Sequence, residues 1–343
     1  MGPSQDLLIV EAKDTTMREV KTVGLAGGGV IGGGWAARCL AHGLDVVCYD
    51  PAPSGEEITR GKVANAWPAL TKVGLFPGAS QDRLRFVSSL EEMAEASDFI
   101  QESVPERIDV KIKVHNAIDA AAAPDVVIGS STSGLLPTEF QAECKNPDRV
   151  LVGHPFNPVY LLPLVEIVGG QKTSKEAVEA ARAFYASISM YPLVCRKEIE
   201  GFLADRLQEA LWRENLHIIN DGAANTQEMD DAIIYGPGLR WAFMGVNKTY
   251  ALAGGDTGMR HFFEQFGPAL KWPWTKLEAP ELTDELLDKM VDGTEQQLEG
   301  GTIKEFEQKR DECLIAIMQA LKTFREGAGE ILAQSEARRA AAR

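Results

Sequence analysis

His154 and Glu166 bracket the stretch HPFNPVYLLPLVE, which carries no other group that titrates near neutral pH. A histidine titrates close to neutrality, so it can take the proton from a hydroxyl group while that group is oxidised. A carboxylate on the other ring nitrogen would fix the tautomer and stabilise the imidazolium that forms. Glu166 can fill that place if the chain turns back between VGHPF and LVEIV, where Pro155, Pro158 and Pro163 interrupt extended pairing. The same residue types also make an ordinary core strand with polar ends, and the stretch alone does not decide between the two.

A second group surrounds GGGVIGGG, in which Gly27, Gly29 and Gly32 have the spacing GxGxxG and Gly28, Val30 and Ile31 fill the turn. A lone GxGxxG is weak evidence, but here the run TVGLAG reads as a strand before it and IGGGWAARCLAHG as a helix after it. In that setting Gly27 allows a tight turn, Gly29 leaves room for a pyrophosphate, and Gly32 lets helix and strand approach. The helix start offers free N–H groups to the phosphates. Asp50, closing DVVCYD, is placed to accept from both ribose hydroxyls and to repel a 2′-phosphate, which selects NAD over NADP. FAD stays open on these residues alone.

These groups need a scaffold. Eight short β-rich runs, TVGLAG, DVVCYD, RFVSS, DFIQES, VVIGSST, RVLVGHPF, LVEIVG and PLVCRK, alternate with helical patterns such as DVKIKVHNAIDAAA and SKEAVEAARAFYASIS. The expectation is an α/β fold: a doubly wound, Rossmann-type parallel sheet over 19–199. The small hydroxyls of GSSTSG then fall at the carboxyl edge of the sheet, where open α/β folds bind ligands. Beyond Glu200 the strand signals stop and long helical segments follow, so 200–330 is expected to be an all-helical C-terminal domain. Residues 1–18 read as a flexible N-terminal tail and the Ala/Arg-rich 331–343 as a frayed one.

Bulk properties narrow the partners. Lys and Arg number 35 against 50 Asp and Glu, a net charge of −15 that disfavours nucleic acid and anionic membrane and mildly favours a cationic substrate. Five scattered cysteines without CxxC spacing suit reduced thiols and no metal site. No apolar run reaches the ~18–20 residues of a membrane span, and no signal-peptide core opens the chain, so a cytoplasmic protein is expected.

GxGxxGxG, QESVPERIDVKIK, SSTSGL, GHPFNP with LVE, and GFLADRL stand in the order and spacing of the 3-hydroxyacyl-CoA dehydrogenase superfamily, which the chain resembles over most of 21–330. The resemblance implies His154 as general base, Glu166 as its partner and Ser133 as a hydrogen bond to the reacting oxygen. It also places Glu106 and Lys111 near the cofactor; as bare residues they would equally make a solvated pair at a helix start.

Departures from the acyl-CoA pattern bear on the substrate. Asp205 in GFLADR stands where members using CoA thioesters have an amide. A carboxylate repels a polyanion and either attracts a cation or pairs with Arg206. The helical half is rich in aromatics, Trp241 and Phe243 among them, whose faces can bind a quaternary ammonium or simply pack as core. Arg240 and Arg260 could hold a carboxylate or form ordinary salt bridges. HPFNPVYLLPLVE, GFLADRLQEALWREN, GPGLRWAFMG and GMRHFFEQFGPALKWPWTKL together are similar to the branch of the superfamily that acts on L-carnitine, a 3-hydroxy acid bearing trimethylammonium. That likeness implies an NAD-linked oxidation to 3-dehydrocarnitine by a cytoplasmic homodimer. Short-chain 3-hydroxyacyl-CoA and L-gulonate are the alternative substrates. A non-catalytic NAD-binding structural or redox-sensing protein is the alternative of another class, but such a protein has no need of the set Ser133, His154 and Glu166.

Overall fold

The computed structural model describes residues 18–254, 258–277, 281, 283–286, 288 and 302–342. The expected N-terminal tail, except for Arg18, and most of TDELLDKMVDGTEQQLEG lie outside them. One compact unit ends at Asp205 and takes up the chain again from Ile331; the other is Arg206–Glu330.

The first unit is built on eight strands: β1 (Thr22–Ala26), β2 (Asp45–Tyr49), β3 (Leu84–Phe86), β4 (Phe99–Glu102), β5 (Val127–Ser130), β6 (Val150–Pro155), β7 (Leu164–Gly169) and β8 (Tyr191–Val194). Their order in the sheet is β3-β2-β1-β4-β5-β6-β7-β8. β4, β5 and β6 are buried along their whole length, as strands covered on both faces must be. α1 (Val30–Ala41), α2 (Gly55–Val73) and α6 (Lys175–Ser187) cover one face around Trp35, Leu40 and Phe184. The other face carries α3 (Leu90–Glu95), α4 (Ile108–Ala121) and α5 (Pro137–Phe140) around Met93, Ile118 and Phe140. Each fully buried side chain of this size, Leu40 for example, stabilises the unit by about 1.5–3 kcal/mol.

Two features of the sheet position the site. β1 pairs with β2 on one side and β4 on the other, so the winding reverses there and a crevice opens at the carboxyl ends of β1 and β4. One pair departs from the parallel pattern: β6 and β7 are antiparallel. The link 156–163 is too short for a parallel crossover, which takes about a dozen residues or more. The chain therefore folds straight back, and the register sets His154 opposite Glu166.

Residues 331–341 of the expected frayed tail 331–343 belong instead to a helix, Ala328–Ala341, with Leu332 and Ser335 buried. Arg338 and Arg339 of EARRAAAR supply the reason. Arg339 donates to the carbonyls of Val73 and Gly74 at the end of α2, and Arg338 donates to that of Ala186 near the end of α6. Cationic side chains on the unpaired carbonyls of helix C-termini hold the segment down.

Among its described residues the second unit contains helices and no strand: most of α7 (Ala204–Asn220), then α8 (Thr226–Ile234), α9 (Pro237–Trp241), α10 (Val246–Ala253), α11 (Gly258–Phe266) and a helix at Ile303–Lys322. Capping boxes at Asn225 with Glu228 and at Thr302 with Glu305 start two of them. Leu216 and Ile219 of α7 bury against Leu286. No described helix is long and apolar enough to cross a membrane.

Candidate active site

The glycine turn sits at the mouth of the β1/β4 crevice. Gly27 has φ +98°, a conformation open to glycine, and donates to the carbonyl of Tyr49 at 2.8 Å, which ties the turn to the end of β2. A Cβ on Gly32 would land on the carbonyl oxygen of Gly27, whereas one on Gly29 would meet nothing within 4 Å. The space above Gly29 is therefore open, as a bound pyrophosphate requires. Gly29 is the N-cap of α1 and offers no side-chain cap, so the first N–H groups of the helix, at Val30 and Ile31, face this space without a helical acceptor. Asp50 Oδ2 accepts from Gly28 N–H at 2.8 Å and Oδ1 from Ala52 N–H at 2.9 Å. Each oxygen keeps a lone pair, so the acid can brace the turn and still accept from ribose hydroxyls. The residues present fit a dinucleotide.

Two strands along the sheet from β4 is the β6/β7 return. His154 Nδ1 lies 3.0 Å from Glu166 Oε2, with His154 5 % and Glu166 0 % exposed. Glu166 Oε1 accepts from the backbone N–H groups of Leu203 and Ala204 at 2.9 and 2.8 Å. Burial alone would raise its pKa, but the bonds from His154, Ala204 and Leu203 outweigh burial and hold it below the ordinary carboxylate value. An ionised carboxylate only accepts, so Nδ1 carries the ring proton and Nε2 presents its lone pair. Phe156 and Phe202 flank the ring at 4.9 and 5.7 Å and limit its rotation.

Glu106 and Ser133 also come together. Glu106 Oε1 accepts from the Thr132 hydroxyl and from the N–H of Ser133 at 3.1 Å, which holds the SSTSG loop against the start of α4 and leaves the Ser133 side chain exposed. Lys111 is no solvated residue: it is 1 % exposed, with its ammonium 2.9 Å from Glu102 and 3.4 Å from Glu106. Glu102 is itself fully buried and also meets His115 Nε2 at 3.1 Å and the Ser130 hydroxyl at 2.6 Å. Against the burial that would raise it, the His115 bond and the Lys111 charge bring its pKa down to about 2. Sequence reasoning passed over Glu102, His115 and Thr132. The available signal was the pair Gln101–Glu102 closing a strand otherwise made for a core.

Two family descriptions match this chain: "3-hydroxyacyl-CoA dehydrogenase, NAD binding domain" over residues 22–199 and "3-hydroxyacyl-CoA dehydrogenase, C-terminal domain" over 201–298. The chain belongs to the 3-hydroxyacyl-CoA dehydrogenase family. Within that family it is similar to the L-carnitine dehydrogenase of Pseudomonas putida, 61 % identical over 311 residues that cover 91 % of this chain and 97 % of the relative. The L-carnitine dehydrogenase of Pseudomonas aeruginosa is 62 % identical over 89 % of this chain and 95 % of its own. Among solved structures, the NAD+-dependent dismutase 5-formyl-3-hydroxy-2-methylpyridine 4-carboxylic acid 5-dehydrogenase superposes with a TM-score of 0.74 at 26 % identity, covering 89 % of this chain and 99 % of that one. (S)-3-Hydroxybutyryl-CoA dehydrogenase from Ralstonia eutropha gives 0.57 at 26 % identity over 82 % and 95 %. As a member of the family the chain is an NAD-dependent dehydrogenase.

Of the residues expected at the substrate, Asp205 lies in the first turn of α7 at the end of the first unit. Arg240 and Trp241 end α9, Phe243 follows it, and Arg260 lies in α11; all four are exposed and belong to the second unit. In that unit Phe262 stacks on Tyr250 and Phe266, so part of its aromatic content serves packing.

Proposed function

We propose that the chain oxidises the 3-hydroxyl of L-carnitine, with the balance L-carnitine + NAD+ → 3-dehydrocarnitine + NADH + H+. The observation that carries the chemistry is the buried His154–Glu166 pair at 3.0 Å, with the second carboxylate oxygen held by two backbone N–H groups. His154 Nε2 takes the hydroxyl proton. Glu166 keeps the ring in that tautomer and stabilises the imidazolium as it forms. The Ser133 hydroxyl, exposed on a loop fixed by Glu106, donates to the substrate oxygen. When bound, NAD supplies the acceptor for the hydride leaving C3.

The name shared by the close relatives supports carnitine as the alcohol, and the composition agrees with it. A chain of net charge −15 favours a substrate with a fixed positive charge. Within the helical unit the aromatic faces of Trp241 and Phe243 suit that ammonium, a contact worth about 0.5–2 kcal/mol each. Arg240 and Arg260 are suited to the carboxylate. A homodimer joined through the helical unit is supported by the large apolar side chains exposed there, among them Leu207, Leu270 and Trp274. A cytoplasmic setting accords with all of this. The test is NADH formation followed with L-carnitine, 3-hydroxybutyryl-CoA and L-gulonate at equal concentration. The expected result is a kcat/KM for L-carnitine at least about 100-fold above the other two, since a site built for one set of charged groups rejects the others strongly. Preference for either competitor would overturn the assignment.

A further inference from the structure

A chain of hydrogen bonds beneath the sheet edge has its direction fixed by the chemistry of its members. Gln101 Nε2 lies 3.0 Å from the carbonyl of Gly153, which only accepts, so the amide is oriented with its nitrogen there and its Oε1 toward the Tyr185 hydroxyl at 2.7 Å. The same nitrogen lies 2.7 Å from Ser131 Oγ and must donate to it. Trp35 Nε1, a donor and nothing else, also points at Ser131 Oγ, at 3.0 Å. Both lone pairs of Ser131 are then taken, so its own proton goes to its third neighbour, Ser103 Oγ, at 3.0 Å. Among the described residues the Ser103 hydroxyl has no other partner, and its proton remains for a group from outside the protein.

Ser103 stands where such a group is due. It directly follows β4 and donates its backbone N–H to Ala26 at the end of β1, at the reversal point of the sheet. Its Cβ is 3.7 Å from where a Cβ on Gly32 would be, its carbonyl oxygen is 2.7 Å from where a Cβ on Gly27 would be, and its residue is only partly buried. We infer that the Ser103 hydroxyl donates a hydrogen bond to an oxygen of the bound dinucleotide, a cofactor contact outside both the glycine turn and Asp50. The chain of bonds makes this donor obligatory, since turning it round would set two protons against each other at Ser131.

NADH binding to the full-length protein, followed by fluorescence without substrate, tests the inference. Ser103→Ala should raise the Kd for NADH about tenfold. Ser103→Thr, which keeps the hydroxyl, should stay within about threefold of the wild type. A Kd for the alanine variant within about twofold of the wild type would overturn the inference, and so would an equal loss in both variants, which would indicate packing. Failure of the wild-type protein to bind NADH would strike at the cofactor and not at Ser103.

Discussion

At the scale of single residues His154 and Glu166 divide the labour. Glu166 is fixed by three donors and His154 by Glu166, so among the described residues the imidazole Nε2 is the atom of the pair left to offer. His154→Ala should therefore leave NADH affinity within about twofold and lower turnover by about two to four orders of magnitude. Binding titration beside steady-state rates checks it, and an unchanged turnover would remove His154 from the chemistry. The pair could be seen in the sequence because the eleven residues between its members, three of them prolines, bring the ends together through local geometry. The group around Glu102 could not. His115 and Ser130 reach it from 13 and 28 residues away, across a helix and a further strand, and no local spacing encodes that meeting.

At the scale of elements, the glycine turn separates two kinds of glycine. Gly32 is a packing glycine, with the Gly27 carbonyl where its Cβ would be, and Gly29 is a ligand glycine, with open space there. Gly32→Ala should lower the thermal midpoint of the unliganded protein by several degrees, consistent with ~1–3 kcal/mol of overpacking. Gly29→Val should leave that midpoint within about a degree and weaken NADH binding about tenfold or more. Thermal melts with and without NADH distinguish them; equal melting loss in both variants would contradict the division. The strands were legible because buried runs bounded by turns carry their own signal. Two elements were less so. The antiparallel turn of β7 follows from link length rather than composition, and the helix Ala328–Ala341 depends on carbonyls at Val73, Gly74 and Ala186, far away in sequence.

For the molecule as a whole, the fold and the cofactor follow from patterns that any reader of the chain can find: a reversal point in a doubly wound sheet, a glycine turn and an acid. The substrate does not. The residue types that suit it, a carboxylate, aromatics and arginines, carry no such pattern: each aromatic could equally pack as core and each arginine could equally pair on the surface. What joins the halves of the account is the chemistry at one carbon. L-Carnitine carrying deuterium at C3 tests it most directly, through analysis of the reduced nicotinamide by mass. The NADH formed should be one mass unit heavier, and should form more slowly than from unlabelled carnitine if the transfer limits the rate. Unlabelled NADH, or no NADH at all, would contradict it.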